Sequence, residues 1–239
     1  MAFDLSVIFD YWPQFLEGAA LTVRIVAIAL VGGIVLAAVI TAASFIKFAP
    51  LKVLIMVYLA IVRGIPFIII VFLVHYGLPF AGVRLPALTT GTIALTLFAS
   101  AYYAEVLRAT VLALPRGQWD SARAVGMSPA EAVRHVIIPQ ILRPALPPLT
   151  NYTMTMTKES SVLSAITVGE LTYQGLVVQG NTFAPFEVFF AVAGIYWIIT
   201  GLIARATLAM ERKLGEEENA PGTLSPLARK YLVLDRRET

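Results

Sequence analysis

Four ionisable side chains stand deep inside stretches that are mostly apolar or uncharged: Arg63, Glu105, Lys158 and Glu159. Two are cationic and two are carboxylates, so the set is neutral as a whole. Such groups suit ionic recognition or mutual pairing rather than covalent catalysis. No cysteine is present, which excludes a thiol nucleophile, a disulfide scaffold and a thiolate metal site. His75 and His135 lie far apart and form no metal-ligand spacing. No Ser/His or Asp/Asp pair is placed for hydrolysis at depth. The chain also lacks a Gly-x-x-x-x-Gly-Lys-Ser/Thr loop, so it has no phosphate cradle of its own.

The elements that carry these charges are set by composition. Of 239 residues, 58% are hydrophobic and 14% charged, and the mean hydropathy is +0.79. Soluble domains are about 45–50% apolar and about 25% charged. The chain therefore reads as a bilayer protein, and its net charge of +3 is too small to suggest nucleic acid. A spanning helix needs about 20 apolar residues. Four stretches meet that length: 19–45, 52–76 (interrupted by Arg63-Gly64-Ile65-Pro66), 88–114 and 186–210. Residues 1–18, with Phe3, Ile8, Phe9, Tyr11 and Trp12, read as an interfacial segment outside the membrane. Residues 212–239 read as a solvated cytoplasmic tail.

The basic residues divide the rest into two sides. Lys47 and Lys52, then Arg116, Arg123, Arg134 and Arg143, then the basic C-terminal tail mark three cytoplasmic segments. The segments between them are poor in Lys and Arg. Four crossings from an outside N-terminus would return the tail to the outside, so a fifth must lie between Arg143 and Glu170. The expected helix is 145–168, although Asn151, Thr155, Lys158, Glu159, Ser160 and Ser161 make it polar on nearly every face. Such a helix crosses only where protein or water surrounds it. By helical rise, about 1.5 Å per residue, Arg63, Glu105 and Lys158 fall in one layer near mid-bilayer. Arg24 and Arg108, nearer the helix ends, are expected to snorkel.

The loop over 116–139 is about 25 residues long, far beyond an ordinary connector of 2–8. Gln118–Val125 reads as a short helix ended by Gly126 in the left-handed conformation. Ser128-Pro129-Ala130-Glu131 then spells a capping box with proline at the first helical position. A second short helix should run from Pro129 and stop before Pro139. Two short helices hinged at a glycine make a docking element for another protein.

The spacing Asp120-Ser121-Ala122, three residues, Gly126, nine residues, Val136-Ile137-Ile138-Pro139 resembles the Glu-Ala-Ala loop of ABC-transporter permeases. The chain departs from that pattern by Asp120 for Glu, Ser121 for Ala, Val136 for Ile and Ile138 for Leu. Arg63-Gly64-Ile65-Pro66, the run Ala101 to Arg108, Asn151 and Lys158-Glu159-Ser160-Ser161 resemble further blocks of permeases that import polar amino acids. The resemblance covers about residues 15–212. It implies an all-α membrane protein of the type I importer fold, with five crossings, in the bacterial inner membrane. It makes Asp120, Ser121, Ala122, Gly126, Ile138 and Pro139 the coupling element for a separate ATPase. The implied partners are two ATPase subunits that hold ATP and magnesium, a second permease (identical or homologous) and an extracytoplasmic binding protein. This chain itself would bind no cofactor.

An amino acid carries a carboxylate and an ammonium. On the permease reading, Arg63 or Lys158 would meet the first and Glu105 or Glu159 the second, with Asn151, Thr155, Ser160 and Ser161 as a hydrogen-bonding wall. An ion-pair cluster that merely holds the bundle is the other reading of the same charges. The rival function is an ion-gradient transporter or channel subunit. Inverted repeats would betray many such proteins, and the two halves of this sequence show no likeness.

Overall fold

A computed structural model describes residues 4–219, with side chains described through Met210. Among the described residues the fold is entirely helical. A short helix α1 (Ser6–Asp10) leads into the long α2 (Trp12–Ser44), which has proline at its first turn. Then follow α3 (Ala49–Gly64), α4 (Phe67–Gly77) and α5 (Ala87–Ala113). The loop carries α6 (Arg116–Ala124) and α7 (Pro129–Ala132). The chain closes with α8 (Ile138–Glu159), α9 (Leu171–Thr182) and α10 (Pro185–Asn219). Phe3 and residues 220–239 of the expected tail lie outside the described residues. The first residues of that tail continue α10.

Two helices, α2 and α10, are long and apolar enough to cross a membrane unaided. Three bent pairs reach that standard only when joined, which gives up to five spans. The bends have local causes. Residues before proline disfavour the helical region. Ile65 accordingly stands extended (φ −107°, ψ 138°) before Pro66, and α3 and α4 meet at 113°. Leu114 does the same before Pro115, and α5 turns by 70° into α6.

The fourth expected span differs most from the sequence reading. Pro139 does not stop the second loop helix. Residues Val133–Ile137 wind as a π-helix and lead straight into α8, with Pro139 in its first turn. A proline costs little in a first turn, and the π winding absorbs the local mismatch. The helix therefore begins at Ile138 rather than at 145, carries Pro144, Pro147 and Pro148 inside it, and tightens to 3₁₀ geometry over Ser160–Ile166. Residues expected as an outer loop, 168–187, contain the helix α9, bent 52° from the preceding one.

Helix α2 packs most closely on α5. Small residues make this possible, because association in lipid rests on close van der Waals contact. A Cβ on Gly33 would stand 2.7 Å from Ala99 Cβ, and one on Gly32 3.0 Å from Thr96 Cγ2. Thr41 Oγ1 donates to the Ala104 carbonyl at 3.2 Å in the same seam. The core joins Ile25, Ala29 and Ala37 of α2 to Leu95, Phe98 and Tyr103 of α5, with Leu163 and Ile166 behind them. A second core seats Phe15 against Leu171, Val178 and Val188. The N-terminal segment is thus partly interior, while Phe9 stays exposed.

Gly18 lies where α2 meets the start of α9, and a Cβ there would stand 2.8 Å from the Leu171 Cα. Backbone cannot rotate away as a side chain can. Gly18→Ala should therefore cost about 1–3 kcal/mol through overpacking. Gly194→Ala, with open space around it, should cost nothing measurable. Thermal unfolding in detergent compares the two, and equal midpoints would contradict the packing described.

Candidate functional site

The four charges do not pair into one neutral cluster among the described residues. Arg63 Nη1 lies 3.3 Å from Glu105 Oε2, and Arg108 Nη2 lies 2.8 Å from Glu105 Oε1. Arg108, expected to snorkel, is therefore the second partner of Glu105. One carboxylate holds two guanidiniums, and this cluster carries a net positive charge. The Arg63 guanidinium also sits 5.7 Å from the centre of the Tyr102 ring, within cation–π range.

These residues line a cleft of about 890 Å³ between α3 and α5. Lys52, Arg63 and Arg108 face one carboxylate, Glu105, across it, and Ile55, Met56, Leu59 and Leu112 supply apolar walls. Tyr102 links the cleft to α8 by ring contact with Tyr152 at 4.9 Å. Phe98 and Phe67 extend the same aromatic chain to α4.

Lys158 and Glu159 stand apart from that cluster and make no ion pair among the described residues. On α8 the spacing of Asn151, Thr155 and Lys158 puts all three on one face, and all three are exposed. Glu159 and Ser161 are half-buried. Ser160 is fully buried and donates to the Thr157 carbonyl at 2.7 Å, so it is no part of an exposed wall. Thr155 likewise bonds its own helix, at the Asn151 carbonyl. The face they leave open is polar along a helix that, joined with α9, is long and apolar enough to be one of up to five spans.

The loop is built as its residues specify. Gly126 has φ +81°, and its N–H bonds the Arg123 carbonyl at 2.9 Å while that of Met127 bonds the Ala122 carbonyl at 3.0 Å. This is a Schellman ending. The capping box is complete: Glu131 N donates to Ser128 Oγ and Ser128 N to Glu131 Oε2. Those bonds from Ser128 hold the Glu131 carboxyl below the usual carboxylate range. Ala122, Ala132 and Ile137 are buried between the two short helices. Asp120, Ser121, Gly126, Ile138 and Pro139 are exposed, as is Val125 at 72%. Gln140 Nε2 donates to Gln118 Oε1 at 3.0 Å and ties α6 to the foot of α8.

Residues 29–216 match the profile described as binding-protein-dependent transport system inner membrane component. The chain belongs to this family. It is 33% identical over 211 residues to the Bacillus subtilis (strain 168) protein named Probable glutamine ABC transporter permease protein GlnM, covering 88% of this chain and 98% of that one. It is 32% identical to the Glutamine transport system permease protein GlnP of Escherichia coli (strain K12), covering 90% and 99%. Among solved structures, a crystal structure of an amino acid ABC transporter with histidines superposes with a TM-score of 0.81 at 33% identity, over 89% of this chain and all of that one. The inward-facing MetNI methionine ABC transporter shares the fold, with a TM-score of 0.73 at 20% identity over 86% and 98%. The chain is thus an ABC importer permease subunit by family, embedded in a membrane.

Sequence reasoning missed two features. Arg108 gave its role away only through its i,i+3 spacing from Glu105. Glu170, counted as a loop charge, is fully buried, and glutamate is not among the preferred N-cap residues that would have flagged it. The double pairing of Glu105 predicts an asymmetry. Glu105→Gln leaves two half-buried guanidiniums without a counter-charge, whereas Arg108→Gln leaves the Arg63–Glu105 pair intact. The thermal midpoint of the purified protein should fall more for Glu105→Gln. The reverse order would contradict the shared-carboxylate geometry.

Proposed function

We propose that this chain moves a polar amino acid, or a close derivative, across the bacterial cytoplasmic membrane in an ATP-driven importer. It crosses five times, with the N-terminus outside and the C-terminus inside. The permease domain is 19–211. An extracytoplasmic binding protein delivers substrate, two ATPase subunits hold ATP and magnesium, and a second permease copy, identical or homologous, completes the path. The substrate class is supported by relatives named for glutamine, cystine and arginine transport.

The observation that carries this reading is the exposed polar face of α8. A lysine facing lipid at mid-bilayer costs about 2.5–3.5 kcal/mol, so Asn151, Thr155 and Lys158 face the second permease and a water-filled path between the two. Lys158 receives the substrate carboxylate and Glu159 the ammonium. The cleft of Arg63, Glu105 and Arg108 lies on the route beyond, where its surplus of positive charge favours a carboxylate-bearing solute. The test is the intact complex carrying Lys158→Met or Glu159→Gln, assayed for substrate-stimulated ATPase over a substrate titration. The half-saturating concentration should rise in both. If assembly is normal and it moves in neither, the two residues are structural and this site is wrong, while the importer assignment stands.

The 118–138 loop couples the path to the ATPase. Asp120, Ser121, Ile138 and Pro139 frame its docking surface, and Ala122 holds its two helices together. Gly126 sets the angle between them, because a Cβ at positive φ is strained. Gly126→Val should abolish ATP-driven uptake or release the ATPase while the permease still inserts. Uptake at the parental rate in that variant would sink the coupling role.

A further inference from the structure

Behind the polar face of α8 lies a second polar set that the transport reading leaves unused. Its centre is Glu170, fully buried at the start of α9. Glu170 Oε1 accepts from the Tyr173 N–H at 2.9 Å, and Oε2 accepts from the Thr172 N–H at 3.0 Å. Oε2 also accepts from the Tyr196 hydroxyl of α10 at 2.7 Å. All three partners donate, which fits a carboxylate, an acceptor at both oxygens.

A cap alone does not need this group. Serine or aspartate would bond the same N–H groups without burying a longer side chain. What glutamate adds is reach to a third helix. The Tyr196 hydroxyl also lies 3.1 Å from Thr172 Oγ1, a second tie between α10 and α9. Ser160 directly follows Lys158 and Glu159 and begins the 3₁₀ segment. That segment ends at Thr167 in the left-handed conformation, φ +62°, a strained position for a β-branched residue. From the far side, the Leu171 N–H donates to Thr22 Oγ1 of α2 at 3.1 Å. Glu170 itself thus ties α9 to α10, α2 bonds the next residue of α9, and the turn below the polar face enters the same junction through the chain.

We propose that Glu170 is a positioning residue of transport: through Tyr196 it locks α9 to α10, so the 3₁₀ turn that joins α9 to Lys158 and Glu159 shifts only together with both helices. Motion imposed on α9 from outside then reaches the polar face without loss. The inference rests on the importer reading, because its readout is stimulation by a loaded binding protein.

Two mild variants separate this role from simple stability. Tyr196→Phe removes one hydroxyl and leaves the cap of α9 whole. Glu170→Asp keeps the cap and is too short to hold Tyr196 as well. Each is made in the intact complex, reconstituted in liposomes with its ATPase and binding protein, and assayed with each standard amino acid and L-cystine in turn. Both variants should assemble with parental basal ATPase, and the thermal midpoint should fall by no more than the loss of one buried hydrogen bond accounts for. Their maximal stimulated ATPase should fall about fivefold or more, the scale of an ordinary coupling between sites. The concentration of loaded binding protein giving half the effect should not move. The double variant should be no worse than either single one, since both break the same link. Parental stimulation in Tyr196→Phe would overturn the proposal. So would additive losses, or a fall that vanishes when rates are scaled to folded complex. Parental complex that no amino acid stimulates would bring down the importer reading, and this inference with it.

Discussion

Hydrocarbon offers a polar group no partner, so each one at membrane depth must be answered by protein or by a covered aqueous path. That cost orders this chain. Glu105 answers two guanidiniums at once. The buried threonines and serines of α5 and α8 return their hydroxyls to carbonyls of their own helices, as Thr153 does to Leu149 and Thr157 to Thr153. Tyr103, nearly fully buried, bonds Thr153 across the α5–α8 contact at 2.8 Å. Among the described residues no buried side-chain nitrogen or oxygen is left without a partner. Against that background the open face of Asn151, Thr155 and Lys158 stands out, since nothing among the described residues covers it.

Transport needs helices that change direction without unfolding, and the chain places its bends where backbone chemistry makes them cheap. Ile65-Pro66 and Leu114-Pro115 break the helix by the restriction that proline imposes on its predecessor. Gly126 closes α6 by adopting a conformation that other residues resist. The α2–α5 seam is close because glycine and alanine line it, and a close seam of small residues transmits displacement rather than absorbing it. The polar face and the 116–139 loop are joined by one continuous helical run from Pro129 to Ile166. Neither a separate loop helix nor a helix starting at 145 would provide that connection.

Charge distribution separates two regions. The α3–α5 cleft is positive, with its carboxylate already shared. Lys158 and Glu159 are adjacent and carry opposite charges, with neither engaged in an ion pair among the described residues. A zwitterion finds two complementary groups at the second region and an excess of cationic character at the first. On the proposed importer reading, this ordering would give direction to a path: recognition where both charges are available, passage where the carboxylate alone is held.

The sequence by itself determined what depends on neighbours in the chain. Hydropathy found the long helices. Charge alternation asked for a fifth span where hydropathy saw none, and the bent helix pairs allow up to five. Ser128, Glu131 and Gly126 specified the loop because caps and left-handed turns involve residues a few positions apart. Tertiary structure decided what depends on contacts between distant segments. Pro139 was tolerated because the π turn before it joined the loop to α8. Arg63 and Arg108 came to share Glu105 because α3 ends beside the middle of α5. Ser160 turned inward and Lys158 outward by a rotation of α8 that only its packing on α5 and α10 could set. Glu170 and Tyr196, 26 positions apart, met because α9 folds back between α2 and α10. No local pattern encodes such a meeting: a single buried carboxylate reads in sequence like any other loop charge until the helices that bury it are in place.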